Sequence, residues 1–357
     1  MRIRQRDQDA GEVIVMMDST AESGSPKRSL ASALNLGSIL QSSSGGVLIA
    51  VAILGTILGL TTKDFFSVMN FVVLARSFSV MAVVGLAQMI IIGTGGMNLS
   101  VGAIGGLTGV ATGGVMDALG YSPAVAIPAG LCVGALCGLV NGWLITKLGV
   151  SGVTSFLVTL ASGSVFTGIN LGITKANPFY NLPADFKLMG SLKIAGIPSL
   201  LFLMLVLALA LALMFRYLGL GRQLLALGGN ITAAELSGVP INRVVITSHV
   251  LCGILAAFAA ILLTSRLGSA QPDVGKDWLL PSFAAPIIGG TRLAGGKVSV
   301  AGAVLGAILL AVISNGLVFL SIDVYWNQFI QGIIILSAVG LDRVRTISAE
   351  RLERRQA

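Results

Sequence analysis

The chain has 357 residues, of which 55% are apolar and only 11% charged, against roughly a quarter charged in an average soluble domain. That balance excludes a single water-soluble core. The formal charge of +8 is dispersed at the ends of apolar stretches, which excludes the basic face of a nucleic-acid-binding protein.

Residues 1–44 carry both signs of charge, and their longest apolar run, 13–17, is too short for the core of a signal peptide. They read as a disordered cytosolic tail. Beyond them ten apolar segments recur, at about 45–62, 70–92, 100–118, 123–146, 153–173, 198–215, 244–265, 279–291, 298–320 and 325–341. Most are long enough to cross a hydrocarbon layer of about 30 Å. The expected fold class is therefore all-α: a polytopic helical membrane protein with a transmembrane domain over 45–343 and a basic cytosolic tail over 344–357. The eighth segment is short and carries Pro281 and Pro286. It reads as a broken or half helix, tolerated where its open backbone faces protein or a water-filled cavity. The 46 glycines suit helices packed closely through small residues. Cys132, Cys137 and Cys252 lie in apolar stretches without metal-ligand spacing and read as small buried hydrophobes.

With the N-terminus inside, 16 Lys and Arg fall on the cytosolic side and six on the outer side, while Arg76 lies near the outer end of its segment. That asymmetry predicts both tails inside. The longest outer connection, 174–196, contains Asn177-Pro178-Phe179-Tyr180; it is too long for a tight turn and reads either as a gate or partner surface or as an inert loop. A weak internal repeat joins Ile91-Ile92-Gly93 and Ser100-Val101-Gly102-Ala103 with Ile287-Ile288-Gly289 and Ser299-Val300-Ala301-Gly302-Ala303, the pattern of two related halves.

Between the sixth and seventh segments lies a polar island, 219–243, at the cytosolic face. Its centre is marked as a short helix over 233–237. Thr232 is placed as N-cap, with Glu235 closing a capping box and Ile231 and Leu236 placed as a hydrophobic staple. Gly238 suits the left-handed turn that ends a helix, and Pro240 forbids continuation. The island is either a plain connector or a docking element.

Signals of catalysis are nearly absent. His249 is the single histidine and reads as a structural residue near the interface. The stretch 291–298 lacks the first glycine and the final hydroxyl of a phosphate loop. No carboxylate lies within a span, whereas an ion-coupled carrier usually keeps one. What remains inside is neutral polarity: Gln88, Thr94, Asn98, Ser100, Asn141, Thr159, Ser162, Asn170, Ser314 and Asn315. Gln88, Asn98, Ser100, Asn141 and Asn315 are the candidates for lining a translocation path. Interhelical hydrogen bonding is the competing role for each.

Several runs carry a family resemblance: Gly96-Met97-Asn98-Leu99-Ser100-Val101-Gly102, Gly221-Arg222 leading into Gly228-Gly229-Asn230, Ser265-Arg266-Leu267-Gly268-Ser269-Ala270, and Ile288-Gly289-Gly290-Thr291. Over about 70–343 the chain resembles the permease subunit of ribose-type ABC sugar importers. The resemblance implies two permeases, alike or related, around one path in a bacterial inner membrane. It also implies a cytosolic ATPase subunit that binds ATP and Mg, and a periplasmic sugar-binding protein; this chain would hold no cofactor or metal and would not be an enzyme. The helix that seats on the ATPase corresponds to the polar island, making Asn230, Thr232, Ala233, Ala234, Glu235, Ser237 and Gly238 the implied coupling residues. The chain departs from the family twice, with Asn98 where Asp is common, and with Asp277-Trp278 and two added prolines after Gly275. Permeases for branched-chain amino acids are the neighbouring class, and an ion-coupled carrier acting alone is the rival mechanism.

Overall fold

A computed structural model describes residues 43–323, 325–326, 328–333, 336–337 and 340. Twelve helices and one small hairpin are present among them: α1 Ser43–Thr61, α2 Val68–Gly93, α3 Val101–Asp117, α4 Pro123–Leu148, α5 Gly152–Thr174, α6 Ala184–Ser191, β1 Lys193–Ile194, β2 Ile197–Pro198, α7 Ser199–Tyr217, α8 Gly219–Gly229, α9 Ile231–Leu236, α10 Ile241–Leu267, α11 Leu279–Ile288 and α12 Val300–Phe319. The protein is an all-α polytopic membrane protein. The expected tails, 1–44 and 344–357, lie almost wholly outside the described residues, and so does much of the tenth expected segment.

About ten membrane segments were expected, one of them short or broken; six helices among the described residues are long and apolar enough to span, namely α2, α4, α5, α7, α10 and α12. Apolar length overstated others, whereas the eighth segment is short as expected. The third segment becomes α3, whose 17 residues reach only about 25 Å at 1.5 Å per residue, and the eighth becomes the 10-residue α11. Within α1 the apolar stretch counted is the shorter Gly45–Thr61. Glycine and proline count as apolar or neutral in a hydropathy window, yet they break the helix that the window implies.

The short helices belong to two interrupted passes, each an irregular stretch joined to a short helix, that run from one end of the bundle to the other. After α2 the chain turns back through 94–100 and resumes as α3, whose far end at Asp117 accepts hydrogen bonds from Asn181 in the outer connection. After α10 it returns along α3 through 268–278 and resumes as α11. The two passes touch at Gly102 and Gly275, where a Cβ on either residue would strike the other's backbone carbonyl. Trp278 is buried where Gly105 leaves room for its ring.

The densest seam lies between α4 and α10. Gly130, Gly134, Gly138 and Gly142 recur every fourth residue and so share one face of α4. A Cβ at Gly134 or Gly138 would collide with the carbonyl of Gly253 or His249, so the backbones meet directly, the close approach that small residues allow within membranes. The 174–196 connection is no loose loop. Phe186 in α6 is fully buried, its carbonyl accepts from the Ser265 hydroxyl, and Phe179 exchanges backbone hydrogen bonds with Ala270 at 2.9 and 3.0 Å. Arg76 donates to the Ser191 carbonyl at 2.7 Å in the same region. Of the cysteines expected to be buried, Cys137 and Cys252 are, whereas Cys132 is exposed on α4.

Candidate functional site: a capped surface helix above a braced loop

α9 is a single short helix whose ends are fixed locally. Asn230 is its N-cap, with Oδ1 accepting from the Ala233 N–H at 3.0 Å. That corrects the expected capping box. With the cap at Asn230, Thr232 sits at the second helical position, so neither its pairing with Glu235 nor the staple forms, and Leu236 stands 86% exposed. The expected stop is present. Gly238 has φ +77°; its N–H donates to the Glu235 carbonyl at 2.9 Å and the Val239 N–H to the Ala234 carbonyl at 3.0 Å, the paired bonds of a Schellman motif. Ser237 adds a hydroxyl bond to the Ala233 carbonyl at 2.8 Å. Only Ala234 is buried; Thr232, Ala233, Glu235, Leu236, Ser237 and Gly238 face outward.

The preceding α8, unforeseen as a separate element, anchors this helix. Leu224 and Leu227 are buried in the main core, spaced three apart on one face. Beyond them Gly228 wedges against two other turns. A Cβ there would meet the Gly93 carbonyl and the Gly296 nitrogen, and Gly296 N–H already donates to Gly93 O at 3.0 Å. Through Gly228 the surface helix is thus footed, backbone on backbone, on the chain just after α2 and just after α11. Those helix ends use the same stop as α9. Gly95 and Gly290 have φ +76° and +90°, and the bonds Gly95 to Ile92, Gly96 to Ile91, Gly290 to Ile287 and Thr291 to Pro286 repeat the Schellman pattern.

Four of the five path candidates form one buried cluster. Asn141 Nδ2 donates to Ser100 Oγ at 2.8 Å. Ser100 Oγ and its N–H both donate to Asn98 Oδ1, at 2.7 and 2.9 Å. With the Gln88 amide oriented to satisfy its neighbours, Gln88 donates to the Asn98 carbonyl at 3.1 Å and accepts from the Asn98 N–H at 3.2 Å. Ser155 and Thr159 of α5 serve the rest of the loop. Ser155 donates to the Met97 carbonyl at 2.6 Å and accepts from the Met97 N–H, and Thr159 Oγ1 accepts from the Leu99 N–H at 3.0 Å. An irregular backbone within a membrane domain must have its polar groups satisfied by protein, and these side chains do that residue by residue. Asn315 stands apart, in a reciprocal amide pair with Asn70 at 3.0 and 3.1 Å. Asn98 Nδ2 also donates to Cys252 Sγ at 3.3 Å, a bond that the Asp common in the resembled family has no donor to make. His249, expected near the interface, is buried within α10.

A family profile described as "Branched-chain amino acid transport system / permease component" matches residues 70–339. The chain belongs to this permease family. Among curated relatives, the ribose import permease protein RbsC of Escherichia coli (strain K12) is 34% identical over 299 residues, covering 83% of this permease and 92% of the relative. The D-allose transport system permease protein AlsC of the same strain is 33% identical over 302 residues, 84% and 91% of the two chains. The fructose import permease protein FrcC of Rhizobium meliloti is 31% identical over 328 residues, 87% and 88%. No solved structure matches the permease. As a member of a family of transport components it is a multi-pass inner-membrane permease and not an enzyme. Among the described residues no group of three or more His, Cys, Asp or Glu is placed to hold a metal ion.

Proposed function

We propose that this permease forms the membrane path for a monosaccharide or related polyol in an ATP-driven importer. A cytosolic ATPase subunit supplies the energy through α9, a periplasmic binding protein delivers the solute, and a second permease copy or a paralogue completes the path. Both tails lie in the cytosol on this reading, as the distribution of Lys and Arg suggests. The observation that carries the solute class is the agreement of the ribose, allose and fructose permeases over most of their length. Support for α9 as the coupling element comes from its exposure and from its footing on the glycine turns at Gly93 and Gly296. Exposed at five of its six residues and locally capped, it offers a rigid knob that needs no support from the partner to keep its shape.

Mechanistically, a displaced α9 moves the Gly228 contact and therefore the near ends of both interrupted passes. The Gln88–Asn98–Ser100–Asn141 cluster sets the path's geometry by holding the loop that borders it, and Asn315 does the same between α2 and α12. The family description favours a second solute class, branched-chain amino acids. Proteoliposomes containing the permease, its ATPase and its binding protein discriminate them. Labelled D-ribose should accumulate on ATP addition and labelled leucine should not. Accumulation by the permease alone, with neither nucleotide nor partners, would refute the coupling reading.

A further inference from the structure

Two arginines meet at the end of the bundle opposite α9, and nothing among the described residues neutralises them. Arg76 of α2 donates from Nη2 to the Ser191 carbonyl at 2.7 Å. Ser191 follows Gly190, whose backbone packs on Arg266 of α10. Arg266 in turn donates from Nη1 to the hydroxyl of Ser77, the neighbour of Arg76, at 3.3 Å. Each guanidinium is thus tethered beside the other's helix, close enough for the two charges to repel. Lys187 adds a third cation, its stem passing over Gly268, two residues beyond Arg266. Neither arginine forms an ion pair among the described residues, and the one acid of the 174–196 connection, Asp185, is exposed at the start of α6.

Both side chains are half-buried, so their mutual repulsion is only partly screened by water, and a counter-anion would relieve it. The donors for one are open. Arg76 Nη1 and Arg266 Nε and Nη2 have no protein partner and are not buried, whereas Arg76 Nε is buried and out of reach. A guanidinium matches carboxylate and phosphate oxygens with its planar fork. A flat carboxylate is filled by one such fork, while a tetrahedral phosphate presents separate oxygens to two. Position adds a preference for the phosphate of a lipid. Arg76 lies eight residues inside the start of α2, about 12 Å along a helix, a depth from which a long cationic stem reaches the headgroups. Leu188, Ile194 and Leu267, on or beside the same elements, are exposed and offer apolar surface to acyl chains. Basic pockets between membrane helices bind headgroups in this way.

We propose that Arg76 and Arg266 form a phosphate site, filled by the headgroup of an anionic phospholipid or by free phosphate. The bound group ties α2, α10 and the folded 174–196 connection together and steadies that end of the bundle. The site requires neither the coupling role of α9 nor any particular transported solute.

Full-length permease, stripped of lipid in an uncharged detergent, provides the test, with labelled dioctanoyl phosphatidylglycerol and inorganic phosphate as separate probes. The short-chain lipid should bind saturably and raise the melting temperature by several degrees. Arg266→Gln, which keeps a donor for Ser77, should weaken binding by about tenfold, the loss of one charged hydrogen-bonding group. Arg266→Lys, which keeps the charge without the fork, should fall between the two. Arg76→Gln is an independent second variant with the same expected loss, and Lys175→Gln, an exposed cation elsewhere on the connection, should change nothing. The probes identify the source: tighter binding of the lipid assigns the site to a headgroup, and inorganic phosphate binding as tightly as the lipid assigns it to the free ion. Failure of both probes to bind overturns the proposal, as does equal binding by wild type and the double variant Arg76→Gln, Arg266→Gln. If that double variant binds both probes unchanged but loses association with the binding protein, the pair receives an acidic side chain of a protein partner instead.

Discussion

The surface helix and the buried cluster beneath it solve the same problem in opposite ways. α9 satisfies its ends with groups between Asn230 and Val239, within ten residues of chain. The 96–100 loop draws its partners from α2, α4, α5 and α10, up to 154 residues away for the Asn98–Cys252 contact. A locally closed element keeps its shape while it moves as a unit; a loop braced from four helices keeps its shape only while those helices hold their places. The difference teaches where rigidity and responsiveness lie: the knob can be displaced whole, and the loop reports where its neighbours stand.

That comparison can be broken most severely at the contact joining its two halves. Gly228→Leu drives a side chain into the Gly93 carbonyl, an overpacking cost of about 1–3 kcal/mol or more; uptake should be abolished and the melting temperature of the purified permease should fall. Next, Asn98→Ala strips partners from Ser100 and Cys252. Each buried group left unsatisfied costs about 1–3 kcal/mol, so thermal unfolding should show a clear loss of stability even without the ATPase. Asn230→Ala removes only the cap, worth about 0.5–2 kcal/mol. Global stability should barely change while ATPase association weakens, as read by co-purification. Leu236→Ser sharpens the contrast further, because an exposed side chain carries little fold energy, typically within ±0.5 kcal/mol; its whole effect should appear in ATPase affinity. The smallest effect is expected from Thr232→Ala, silent in stability because Thr232 caps nothing. A loss comparable to that of Asn230→Ala would restore the capping box rejected above.

How far the sequence could be read follows the same division. Gly238 and Pro240 announced the end of α9 because their backbone preferences act within a few residues. The start was misplaced by two residues, since Asn230 and Thr232 are both good caps and only the fold decides between them. The polar candidates were recognisable by type, but their grouping was not. Nothing local links Gln88 to Asn98 or Asn98 to Cys252. The fourfold glycine spacing in α4 was legible, and it was absorbed into a general expectation of close packing instead of being read as the α4–α10 seam. The number of unbroken spanning helices was overstated because hydropathy measures what a segment would bury and says nothing of where glycine interrupts it.

One consequence follows from α10. Its 27 residues run without proline or a break from Ile241, just past the Schellman turn of α9, to Leu267, about 40 Å at 1.5 Å per residue. At the far end Ser265 is bound to Phe186, and Gly190 packs on the backbone at Arg266. A single stiff strut therefore connects the surface that bears α9 with the folded flap at the opposite end of the bundle. Tilting its near end must swing that flap, so one helix suffices to make the two faces of the membrane aware of each other.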